Sequence, residues 1–149
     1  MRRALVVAVS ATAVAAVATA GSAVAQTAAK TKTLKGGYNV TLAPDPTMEA
    51  TGQVGKHCLN VDPASVDNHP LALPGKGMLT VALSSPAPNN NLDWDLYLLD
   101  AKGNVVGTSD SPGPQEQIIT RAQGKVTIRA CNLMGEPSAT VTYSFKYKK

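Results

Sequence analysis

The chain predicts an all-β protein, an antiparallel β-sandwich or jelly roll of about eight short strands. Three observations carry that prediction. Apolar residues alternate with polar ones in short runs, the period of a strand with one buried face. Turn residues separate these runs at regular spacing. No window shows the 3.6-residue period of an amphipathic helix.

The pattern is strongest from Asn91 to Asp110, around which the rest of the chain is organised. Trp94, Leu96 and Leu98 point one way, and Asp93, Asp95, Tyr97 and Leu99 the other. Asp100 to Asn104 then supplies turn chemistry. Gly103 accepts a positive φ and Asp100 can bond its own backbone. Val105-Val106 opens the return strand of a hairpin.

Met1-Arg2-Arg3 is a basic start, Ala4 to Ala20 an apolar run, and Ala23-Val24-Ala25 offers small residues for cleavage. Residues 1–25 therefore predict a signal peptide and an exported, extracellular product. With no Cys near the cut, a lipid anchor is not expected. Cleavage leaves 149 minus 25, or 124 residues, enough for one domain. Its 12 Lys and Arg against 10 Asp and Glu give about +2. That is too little for nucleic acid, and no membrane span is expected after cleavage.

Residues 26–36 read as a flexible leader and 37–149 as the folded domain. Tyr38, Val40 and Leu42 alternate as a first strand, which Pro44-Asp45-Pro46 ends. His57 to Val61 is a strand candidate. Asp62 to Gly77, with three prolines and two glycines, reads as a long irregular connection. Met78 to Ser84 alternates cleanly, and Ser85 to Asn91 is a loop by composition. Gln117 to Arg121 and Lys125 to Asn132 read as two strands joined by Ala122-Gln123-Gly124. The last strand, Thr140 to Tyr147, turns Val141, Tyr143, Phe145 and Tyr147 inward. Lys146 and Lys148 on its outer side would discourage edge pairing.

Cys58 and Cys131 are the only cysteines. In an exported chain they predict a disulfide, closing a loop of about 70 residues and contributing roughly 4 kcal/mol in the loop-entropy picture. Two free buried thiols are the alternative.

From Leu79 to Tyr147 the sequence resembles the bacterial pre-peptidase C-terminal domain. The residues that carry the likeness are Asp95-Leu96-Tyr97-Leu98, the turn Asp100 to Asn104, the pair Ser109-Asp110, Glu116 to Thr120, Gly124 to Ala130, and Tyr143 to Tyr147. Cys58 to Val61 stands where that family has an aromatic strand, and Lys125-Val126 where it has glycine-tyrosine. With that segment included, the likeness spans about residues 54–147. It implies a secreted β-sandwich acting as an accessory module, in some members a binder of polymers or calcium.

Two carboxylates two apart on a strand face the same side, so Asp93 and Asp95 repel unless a cation or donors lie between them. Asp110 and Glu116 would lie nearby. Calcium takes six to eight oxygens, and these four residues could supply several. The competing reading is solvated acids that cap turns. Asp62, Asp67 and Asn68 form a weaker oxygen cluster that Asx turns explain equally well.

His57 and His69 fit no zinc or metalloprotease spacing. No nucleophile elbow or phosphate-binding loop occurs, so no catalytic residue and no organic cofactor are expected. The reading is a secreted, monomeric, non-catalytic binding or accessory module, calcium its one candidate cofactor, with an extracellular protein or polysaccharide as partner. A small enzyme or peptidase inhibitor acting through its loops, and a structural cell-surface protein, are the alternatives.

Overall fold

The computed structural model describes residues 30–47, 58–86 and 92–149. The predicted signal peptide, His57 and residues 87–91 of the Ser85–Asn91 loop lie outside them. No helix among the described residues is long and apolar enough to cross a membrane.

The fold is all-β and antiparallel. Six strands run β1 (Thr31–Thr41), β2 (Val66–Ser84), β3 (Asp93–Asp100), β4 (Val105–Ser109), β5 (Gln115–Met134) and β6 (Ser138–Lys148). They form one sheet in the order β1-β6-β2-β5-β3-β4. The expected count of eight becomes six because two of the predicted runs are one continuous strand and a third, at Cys58–Val61, is turn. Gln117–Arg121 and Lys125–Asn132 are both parts of β5, and Ala122-Gln123-Gly124 is a bend within it. The Asp62–Gly77 connection is a 3-10 turn at Pro63–Ser65 followed by the first half of β2. The Cys58–Val61 segment is turn rather than strand. β1 begins at Thr31, so the end of the supposed leader is strand.

β2 and β5 pair from Val66 with Cys131 through to Ser84 with Gln115, broken in register between Leu73 and Gly77. At that break Pro74 has no N–H to donate, and Gly124 on β5 takes φ +71°. Here the sheet bends. β6 then pairs only with the second half of β2, Gly77 to Ser84. β3 pairs only with the second half of β5.

The two halves fold over each other, as contacts between strands that are not sheet neighbours show. A Cβ on Gly107 of β4 would stand 2.9 Å from Ile118 Cγ2 of β5. Tyr38 of β1 stacks on His69 of β2 with ring centroids 4.1 Å apart. Between the halves lies the main core, including Leu79, Val81, Trp94, Leu96, Leu98, Ile128, Val141 and Phe145. Apolar burial on this scale is the main favourable contribution to stability. The expected inward side of the last strand holds, with Phe145 fully buried and Tyr143 and Tyr147 packed partly against the core. β6 is interior to the sheet, however, flanked by β1 and β2, so its lysines guard no edge.

A smaller cluster lies on the other face of β3, where Tyr97 packs with Cys58, Cys131 and Leu133. Cys58 and Cys131 are joined as a disulfide, with Cα atoms 5.7 Å apart.

Candidate functional site: an acidic nest beside the disulfide

The strict alternation of β3 sorts its residues. Trp94, Leu96 and Leu98 enter the main core, leaving Asp93, Asp95 and Tyr97 on the opposite face. Asp95 stands across from Cys131 in the ladder and Tyr97 across from Arg129. Asp110 follows the end of β4, and Glu116 is the second residue of β5.

The structure sets Asp95 within electrostatic range of Asp93, Asp110 and Glu116, and Glu116 within range of Asp93 and Asp110. Asp93 is 5 % exposed, Asp95 2 % and Glu116 4 %. Burial is the largest influence on Asp95 and, reinforced by Asp93, Asp110 and Glu116, pushes its carboxyl up to about 8. Burial also raises Asp93, against a hydrogen bond from the Gly113 N–H. It raises Glu116 as well, opposed by the Ser109 hydroxyl and the Ser111 N–H and reinforced by Asp93 and Asp110. Tyr97 donates its hydroxyl to Asp110. Burial first, then Asp110 and Asp95, push that phenol up to about 12.

Backbone contacts fix the nest. Asp95 accepts from the Cys58 N–H, tying it to the disulfide segment. Trp94 N donates to Gly113 O at 3.1 Å, pinning the 110–114 loop to the start of β3. Ser109 Oγ donates to Glu116 Oε2 and accepts from Gln117 N at 3.1 Å. One oxygen on each buried acid still has no hydrogen-bond partner: Asp93 Oδ1, Asp95 Oδ2 and Glu116 Oε1. Orphaned oxygens of this kind are costly unless a proton or a cation meets them. Among the described residues, no three His, Cys, Asp or Glu side chains are arranged to hold a metal ion as they stand. The acids are gathered, but their oxygens do not yet converge.

The weaker oxygen cluster serves turns and edges instead. Asp62 caps the Pro63–Ser65 turn, accepting from Ala64 N at 2.8 Å. Asn68 Oδ1 accepts from Arg129 Nε at 2.9 Å. Asp67 lies beside Tyr38, and its charge adds to burial in raising that phenol. His69 is an aromatic partner, stacked on Tyr38 and 6.3 Å from Tyr143.

Asp45 is not visible as a functional group in the sequence, where it reads as part of a strand-ending Pro-Asp-Pro run. It is 1 % exposed. It accepts from Thr47 N at 2.8 Å, Thr47 Oγ1 at 2.6 Å and Asp62 N at 3.0 Å. Asn132, equally inconspicuous in the sequence, donates Nδ2 to Leu42 O at 3.0 Å and Glu136 O at 3.1 Å. An Asp two residues before a Thr is an Asx-turn signal, and it was the available clue to Asp45.

No family model matches the chain, and no curated protein matches it. Among solved structures it is similar to the Aeromonas hydrophila PliG, a periplasmic lysozyme inhibitor of g-type lysozyme. The identity is 13 %, the TM-score 0.41, and the match covers 78 % of this chain and 87 % of that one. A likeness of this degree carries no functional argument.

Proposed function

We propose that this chain is an exported, non-catalytic binding or accessory module, and that its acidic nest takes a calcium ion which locks the start of β3 to the 110–114 loop. The observation that carries the calcium reading is the set of orphaned oxygens on Asp93, Asp95 and Glu116, each on a nearly fully buried side chain. Calcium is a hard cation that accepts irregular oxygen cages and completes them with water and carbonyls. The calcium reading requires side-chain rotations that turn these oxygens, with Asp110 at the rim, toward one ion. The same burial speaks against catalysis there. Four cavities among the described residues are lined by other residues, at the opposite pole of the sheet.

The test is thermal melting of the chain in EDTA and in millimolar calcium, for the wild type and for Asp93→Asn with Asp95→Asn. The expected result is a midpoint raised by several degrees in calcium, with the rise absent in the double variant. An unchanged wild-type midpoint at millimolar calcium overturns the metal reading.

A further inference from the structure

The folded chain separates its charges by pole. The nest, Asp45 and Asp62 lie at the pole where β3 begins. At the other pole the sheet bends and the β3–β4 turn closes. There Lys76, Lys102, Arg121, Lys125, Lys146 and Lys148 line four adjoining open cavities of about 550, 340, 620 and 350 Å³. Their lining residues include one carboxylate, Asp100. That group is engaged by its own turn, accepting from Lys102 N at 2.8 Å, Asn104 N at 2.9 Å and Asn104 Nδ2 at 3.0 Å. Those bonds hold it below the usual carboxylate range.

The pole is not merely cationic. Val106, 42 % exposed, and Met78, 41 % exposed, sit among the cations, with Tyr147 beside Met78 in the fourth cavity. Protein interfaces mix apolar side chains with arginine and a polar rim. A purely polyanionic polymer requires charge alone and gains nothing from an apolar floor.

We infer that this pole is a docking surface for an acidic protein segment that also carries apolar side chains. Charge complementarity steers the segment in, and the apolar floor selects it over a bare polyanion. A second copy of the same chain fits less well, because most acids at its far pole are buried.

The test titrates the chain with three labelled probes of equal charge: a peptide alternating Glu and Leu, an all-Glu peptide, and inorganic polyphosphate. Lys76 and Arg121 are exposed, so Lys76→Glu with Arg121→Glu leaves the fold intact, as an unchanged melting midpoint verifies. The mixed peptide is expected to bind at least tenfold more tightly than the other probes. The double charge reversal should weaken it at least tenfold, while Lys35→Glu, exposed on β1 outside the cavities, leaves it unchanged. Equal or tighter binding of polyphosphate would assign the pole to anionic polymers and overturn the proposal. So would absent binding, or binding indifferent to the double reversal. None of these readouts depends on calcium.

Discussion

Asp95 lies directly across the ladder from Cys131, and its carboxylate receives the backbone N–H of Cys58, the other half of the same disulfide. The crosslink and the most perturbed acid of the nest are therefore one local unit. Removing the crosslink should be felt in the nest.

Replacing both cysteines by alanine, or reducing them, is expected to cost about 2–5 kcal/mol by the general experience with native crosslinks. Urea unfolding with and without reductant measures it. Contact between the two sites also predicts non-additivity. Combining Cys58→Ala and Cys131→Ala with Asp95→Asn should cost less than the separate losses added together.

Metal-free protein should become less stable as pH rises from about 4 to 9. Asp95 has a folded value of about 8, above its ordinary 3.8. Between those values the folded chain keeps a proton that the unfolded chain gives up. Its contribution is full below the lower value and is lost as pH climbs through the upper one. Asp93 and Glu116, raised in the same direction, add to the trend. Urea midpoints in EDTA across this range check it. Asp95→Asn should flatten the profile, and saturating calcium should reverse its slope because the ion competes with protons.

Two glycines at the bend should differ in how much alanine costs. A Cβ on Gly77 would run into the carbonyl oxygen of Lys146, a backbone atom of the paired strand that cannot turn aside. Gly124 has open space but a φ of +71°. Gly77→Ala is expected to destabilise by more than 2 kcal/mol, in the range of overpacked sites. Gly124→Ala should cost about 1 kcal/mol, the usual left-handed penalty. Chemical denaturation separates the two.

Asp45→Ala should cost about 2–4 kcal/mol, since it strips acceptors from the N–H groups of Thr47 and Asp62 and from the Thr47 hydroxyl. Hydrogen exchange at the Asp62 amide provides a local reading, with faster exchange expected in the variant.

Much of this was legible in the residues themselves. The β3–β4 hairpin follows from strict alternation and a turn whose Asp100 does what its position implies. Asp93 and Asp95 share a strand face, and the hairpin that follows carries Asp110 and Glu116 back toward them. The first half of β2 was hidden by its prolines. It is a strand regardless, because only β5 pairs with it there, and Pro70 lies where the opposite side of the strand is unpaired. The basic pole was hidden for another reason. Its six cations come from the β2 bulge, the β3–β4 turn, β5 and β6, so along the chain they look scattered. Only the bend gathers them.

The pairing of β1 with β6 has a consequence for assembly. Thr31 meets Lys148 and Thr41 meets Ser138, so the first strand finds its place only through the last. β6 in turn needs β2. The loop that must close is nearly as long as the described chain, and such non-local pairing slows folding. Residues 31–41 therefore wait unpaired until residues 138–148 have docked, and a chain halted before β6 leaves two strands' worth of backbone open to a neighbour.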